Sequence, residues 1–408
     1  VTFHDGTAFT AADVKYSLDW VLNPDNTAPW AGRIGLVSGV EVVDDYTVRL
    51  TTKEPYAALL QGLMVIHMVP EGYYEGAYSP STQPVGTGRY RFAEWAPDDY
   101  LAITAVEGSW HGETTVGAIR FIEMPTANTR TSALRAGEIE VAYAMPPEQT
   151  ADQERAGLGI DYQLIGHSMT ITLVGARSEI LADKRVRQAM NYAVDKEAIV
   201  EFLMEGFGRE LAGQLVGPDG FGFSPDLTAY PYDPERAREL LAEAGYPDGF
   251  SIGFSATNGN YLKDREVAQA VVDMLREVGI DAQMEALEQS VWAEGLYSNT
   301  LEPMFMIAWQ YSPAMDAALP FTYFQCAPAS LADYLCNQEF DALMDAAQQA
   351  FDVQEREALL QQAAAVLREE APILFLHQMP AIFGVAEGLE GIRFNADNTV
   401  DYHEARYR

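Results

Sequence analysis

Residues 166–199 read GHSMTITLVGARSEILADKRVRQAMNYAVDKEAI, and no other stretch constrains the fold as much. Residues 167–175 alternate β-branched and polar side chains as a strand does, whereas residues 185–199 repeat apolar side chains at helical spacing. A strand therefore runs into a helix. Asp183 is placed to cap that helix; Val186, Ala189, Met190, Ala193 and Val194 form one buried stripe, and Arg185, Gln188 and Lys196 face water.

The rest of the chain supplies more of the same units. With 408 residues, 48% of them hydrophobic, it can bury more than one core, and chains of this size divide into two or three domains. Residues 251–256 read as a strand, 264–279 as a helix and 280–287 as a second strand, a βαβ unit that calls for a parallel or mixed sheet. Residues 40–52 form a hairpin turning at Asp44-Asp45, and residues 55–68 a short helix running into a strand. Thr10, with Asp13 three residues on, caps the first helix, and Asp5-Gly6 is a tight turn rather than an acid–base pair with His4. Further strands are expected over residues 101–106, 118–124, 140–144, 301–309 and 372–378. Helices are expected over residues 129–137 and 234–244, with two more between residues 338 and 370.

Charge excludes several partners. There are 60 acidic residues against 26 basic ones, a net charge of −34, and the lysines are only Lys15, Lys53, Lys184, Lys196 and Lys263. Nucleic acid and anionic lipid need clustered cations, so neither is a partner. Spread acidity of this kind keeps a protein soluble in a salty compartment. No run approaches the roughly 18 apolar residues of a membrane span.

Cys326 and Cys336 lie ten apart, outside any zinc-ligand spacing. A loop-closing disulfide is the expected use and requires an oxidising compartment; two buried thiols in a cytosolic protein are the alternative. Closing so short a loop contributes roughly 2–3 kcal/mol in the chain-entropy model. The six histidines are dispersed, with no pair at metal-ligand spacing, so no metal or other cofactor is expected.

Several stretches carry specific wording. "FHDG..FTA.DV.YSL", "PVGTGRYRF", "TRTSALRAGEIEVAYAMP", "L.D.RVRQA.NYAVDKEAI" and "YPYDPERARELLAEAGYPDGF" resemble segments of the family 5 extracellular solute-binding proteins of ABC importers, the dipeptide, oligopeptide and nickel-binding group, and occur in the family's order. Arg89 stands where the family often has proline. The resemblance implies an α/β, two-lobed periplasmic-binding-protein fold (type II, family 5 with an extra subdomain), with mixed sheets flanked by helices. Residues 1–84 would form a subdomain of the first lobe, residues 85–166 and 379–408 its main part, and residues 167–378 the second lobe. An N-terminal segment of the family fold would precede Val1 and contribute to the cleft.

The function implied is capture of a peptide-like or related small solute in an interlobe cleft by hinge closure, with no chemistry, and delivery to an ABC permease; peptide-like solutes are the family default. The protein would be periplasmic or extracellular, monomeric, and lipid-anchored through the preceding segment. Candidate ligand residues fall on three stretches: His167, Ser168 and Thr170 on the strand that leads into the second lobe; Asn258, Asn260 and Tyr261 after a second-lobe strand; and Trp309, Gln310, Tyr311 and Ser312, with Asp316 further on. Each has a structural alternative: an interior histidine, an ordinary turn, a core tryptophan.

Peptide-binding members share an aspartate three residues after a tryptophan, which receives the peptide ammonium group. Here that place is Ser312, and residues 303–308 contain no basic side chain. The departure favours a solute without a free zwitterionic end, such as an opine-like conjugate, an oligosaccharide or a blocked peptide, with Asp316 as the substitute carboxylate if peptides bind. There is no G-x-S-x-G, H-E-x-x-H or P-loop. A carboxylate pair for glycoside hydrolysis stays open on composition alone, as does a receptor-coupled sensor role.

Overall fold

The computed structural model describes residues 1–26, 28, 30–75, 82–326 and 335–408. The chain divides into two compact units: Val1–Ala142 with Val385–Asn395 and Thr399–Arg408, and Tyr143–Gly384 with Ala396–Asn398.

In the first unit the helix Ala11–Leu22 starts on the expected capping box, with Thr10 and Asp13 bonding reciprocally. It packs Leu18 against Ile34, Val37, Val40 and Ile66, which are all buried. The hairpin Val37–Asp44 and Thr47–Thr52 turns at Asp45, and Tyr90–Ala96, Tyr100–Ala105 and Ala118–Ile122 form an antiparallel sheet. Residues 55–68 make the short helix Leu59–Leu63, but no strand follows it among the described residues. His4 is structural: its Nε2 lies 2.9 Å from the Gly88 carbonyl and holds the glycine-rich loop in place.

The second unit is built on one mixed sheet. The βαβ unit forms as read, with Phe250–Thr257 parallel to Ile280–Leu287 and the helix Asp264–Glu277 between them in sequence. Next come Met304–Gln310, parallel to Phe250–Thr257; then Gly159–Leu173, antiparallel to Met304–Gln310; then Ile373–Val385. Met169, Ile171 and Leu173 face one core with Met304 and Met306, whereas Phe305, Ile307 and Trp309 face another with Phe321, Phe324 and Phe375. Both faces of the central strands are therefore buried, as in sheets covered by helices on each side.

The strand-to-helix passage forms with one correction. Asp183 accepts from the Arg185 amide and the stripe from Val186 to Val194 is buried, but the helix is Lys184–Ala193 and stops at Val194. Asp195 then caps a new turn through the Ala198 amide, which is why the period continued past the break. Lys196, expected in water, is 2% exposed, and its Nζ donates to the carbonyls of Asn191 and Tyr230. Burial lowers its pKa to about 8.

Cys326 and Cys336 are joined in the expected disulfide; of the residues between them, 327–334 lie outside the described residues.

His377, on Ile373–Val385, is completely buried, and burial lowers its pKa to about 4. The unfolded chain takes up that proton near pH 6.5, so folding stability falls as pH drops from about 6.5 toward 4. His377→Leu should flatten this fall by up to about 1.4 kcal/mol per pH unit, read from urea unfolding between neutral pH and about pH 5. An unchanged slope would assign the fall to other groups.

Candidate functional site

The parallel strands Phe250–Thr257, Ile280–Leu287 and Met304–Gln310 all end on one edge of the sheet, and the antiparallel strand brings His167 to that edge opposite Gln310. Strand periodicity then divides the expected residues. Ser168 pairs with Trp309 and Thr170 with Ile307, on the face that packs into the aromatic core. Ser168 and Thr170 are fully buried, and their hydroxyls donate to the carbonyls of Leu215 and Ile307 at 2.8 and 3.1 Å. Trp309 is buried too, its ring 5.2 Å from those of both Tyr323 and Phe324. These three are buried beneath the edge, on the side of the aromatic core. His167 and Gln310 lie on the other face, half-buried and exposed respectively. Burial lowers the His167 pKa to about 4, leaving a neutral imidazole that offers hydrogen bonds but no charge.

Residues 258–261 form a turn organised by a residue that sequence reasoning did not single out. The buried carboxylate of Asp264 accepts from the amides of Gly259, Asn260 and Tyr261 at 3.0, 2.9 and 3.2 Å, and from that of Arg265 at 2.8 Å. Asn258 donates to Glu288, at the end of the neighbouring strand, at 2.6 Å. Tyr261 is half-buried against the first core of this unit, and burial raises its phenol pKa.

The loop after Trp309 is held by close backbone approach. The Gly166 carbonyl accepts from the amides of Tyr311 and Ser312, and a Cβ at Gly166 would come within 2.9 Å of Met315 Sδ and Ser312 Cβ. The Ser312–Pro313 peptide is cis. Ser312 is half-buried at this edge, but Asp316 is placed otherwise: it is 2% exposed and binds Arg356 through both oxygens, at 2.7 and 3.1 Å. Its carboxylate is spent on a buried ion pair with a residue forty positions away.

Tyr311 is fully buried, yet its hydroxyl reaches the edge. It donates to Asp219 Oδ1 at 3.4 Å and accepts from the Gly217 amide at 3.2 Å and from Gln378 Nε2 at 2.8 Å. Gln378 Nε2 also reaches Asp219 Oδ1 at 3.1 Å, while its Oε1 accepts from Arg209 at 3.4 Å. Burial, reinforced by the Asp219 charge, raises the Tyr311 pKa, so the phenol stays a donor. Asp219, Arg209 and Gln378 were not picked out from the sequence. The Pro-Asp-Gly run around Asp219 reads as an ordinary turn, and nothing local marks a glutamine two strands from Trp309.

A mixed sheet covered on both sides, with polar side chains gathered where its parallel strands end, is an open α/β architecture, and solved structures share this fold. The chain superposes with a TM-score of 0.86 on NikA of Brucella suis in complex with Fe(III)-EDTA, at 23% identity, covering 100% of this chain and 86% of that one. It superposes with a TM-score of 0.82 on the periplasmic binding protein AgaA of A. tumefaciens R10 in complex with agropinic acid, at 24% identity, covering 96% and 80%.

Residues 1–330 match the family described as "Bacterial extracellular solute-binding proteins, family 5 Middle", and the chain belongs to that family. It is 30% identical over 424 residues to the glutathione-binding protein GsiB of Pectobacterium atrosepticum, covering 99% of this chain and 80% of the relative. It is 28% identical over 436 residues to GsiB of Salmonella choleraesuis, covering 99% and 81%. The protein is thus an extracytoplasmic solute-binding component of an ABC importer and not an enzyme. Among the described residues no helix is long and apolar enough to cross a membrane.

Asp316→Ala leaves Arg356 buried without its counter-charge and should cost about 3–5 kcal/mol of stability. Solute affinity at the permissive temperature should change less than about twofold, since about 0.4 kcal/mol is all that separates such constants. A large affinity loss in calorimetry with an unchanged melting temperature would return Asp316 to the binding site.

Proposed function

We propose that the protein captures a small peptide-like solute at the strand-end edge of its second unit and hands it to the permease. The observation that carries the solute class is the 30% identity, over 99% of the chain, to a protein named for binding glutathione, itself a tripeptide. The place is supported by a general property of open α/β sheets, which bind ligands outside the carboxyl ends of their strands. At that edge His167, Gln310, Ser312, Tyr311 and the turn with Asn258, Asn260 and Tyr261 come together.

In this reading Gln310, Ser312 and the neutral His167 orient the solute by hydrogen bonds, and the tyrosines bury it. Ser168, Thr170 and Trp309 act from beneath, by holding the floor. All these groups come from one unit of one chain, so one chain binds one solute. A second reading, an opine-like conjugate, is favoured by Ser312 standing where peptide-binding members carry a carboxylate.

A thermal-shift screen against glutathione, di- and tripeptides, opines, oligosaccharides and nickel chelates separates these readings. A tight ligand raises the melting temperature by mass action. Glutathione or another small peptide is expected to give the large shift. A shift from opines alone would establish the second reading, and one from sugars or chelates alone would overturn both. Trp309→Ala should lower stability by about 3–5 kcal/mol through the cavity it leaves, seen as a lowered urea midpoint.

A further inference from the structure

We infer that Asp219 and Arg209, held apart by the buried Gln378, form a receptor for an α-amino-acid head group: Asp219 takes the solute's ammonium and Arg209 its carboxylate. The inference rests on the peptide-like reading above and deepens it.

Its basis is one buried polar relay ending in two exposed, opposite charges. Gln378 is 1% exposed and Tyr311 0%, so neither can turn to water for hydrogen bonds. The amide end of Gln378 reaches Asp219 at 3.1 Å, and its carbonyl end accepts from Arg209 at 3.4 Å. Because an amide is a donor at one end and an acceptor at the other, it sorts the two charges to opposite sides. Gln378 Nε2 also meets the Ile165 carbonyl at 3.1 Å, and this fixes which way round the amide sits.

Both charged groups are exposed, and among the described residues neither takes part in an ion pair. Asp219 accepts only from neutral donors, Tyr311 and Gln378, which orient it without neutralising it. The approach is tight. A Cβ at Gly217 would lie 2.4 Å from Gln378 Oε1 and 2.6 Å from Asp219 Oδ1, so only glycine lets the carboxylate settle against the amide.

The chemistry fits the head group. An ammonium placed on Asp219 completes a charge-assisted hydrogen bond to an oxygen already aimed by buried donors, and a guanidinium takes a carboxylate through two parallel bonds. In a chain of net charge −34, an arginine and an aspartate placed on the two ends of one amide, neither in an ion pair among the described residues, are suited to a zwitterion rather than to a free cation or anion.

The test is calorimetry on the full chain with glutathione and a second γ-glutamyl peptide, which carry an ammonium and a carboxylate on one α-carbon, and with their Nα-acetylated and α-carboxyl-amidated forms, using the wild type, Asp219→Asn and Arg209→Gln. For the free solute that binds the wild type best, Asp219→Asn should weaken affinity about tenfold or more, the scale of one charge-assisted bond. Against the Nα-acetylated form the same variant should change nothing. Arg209→Gln should show the same pattern against the amidated form. If the wild type binds the free solutes and the variants lose equally against free and blocked forms, or lose nothing, the receptor assignment is overturned while the peptide-like reading stands. If the wild type binds none of the free solutes, both fall. Equal melting temperatures of variants and wild type, recorded without ligand, confirm that folding is not what is being read.

Discussion

The antiparallel pairing of residues 167–173 with residues 304–310 settles more of the second unit than any other contact. Seven residues pair in unbroken register, from His167 opposite Gln310 to Leu173 opposite Met304. A slip of one residue would turn every side chain to the opposite face. Trp309 and Phe305 would then leave the aromatic core, and His167 and Gln310 would leave the edge together. The register is protected because both faces are apolar and differently shaped, with methionines on one and aromatic rings on the other. Position at the edge therefore follows from packing many residues away.

Scarce cations are used with economy in this acidic chain. Arg187 is buried and donates to the Glu370 carbonyl at 2.6 and 2.9 Å, where the helix Val353–Glu370 ends, as well as to the carbonyls of Leu181 and Ala182. It thereby meets the negative end of one helix dipole. Lys196 satisfies two further carbonyls and Arg356 a buried aspartate. These positive charges serve as connectors between elements distant in sequence. That leaves few on the sheet edge, so Arg209 stands out there.

What could be read from the sequence was what is local. Caps at Asp183 and Asp233 were legible because each accepts from an amide within three residues, the one at Thr10 because its partner Asp13 lies three residues on, and the βαβ unit because its periods change cleanly from two to 3.6. The break at Val194 was not, because Asp195 starts a new turn in phase with the old stripe. Alternation showed that Ser168 and Thr170 share a face but not that this face lies under the core; small hydroxyls can be buried once they bond a strand carbonyl. Asp316 looked like a loop carboxylate because its partner Arg356 is remote in sequence. Asp219 was hidden for the same reason: Tyr311 and Gln378, which aim it, come from two other segments, and its own neighbours spell only a turn.

The turn at residues 258–261 has a consequence for what the edge can accept. Successive backbone amides converging on one point, at the start of a helix, make a cradle of the kind that binds phosphates and carboxylates. Here the chain has occupied it with its own Asp264, an internal anion tethered a few residues away. At so high an effective concentration no dissolved anion competes, and the cradle is closed to solutes. In the proposed site the turn can therefore offer a solute only the side chains of Asn258, Asn260 and Tyr261, and on that reading any carboxylate the solute carries must find its partner on the far side of the sheet edge.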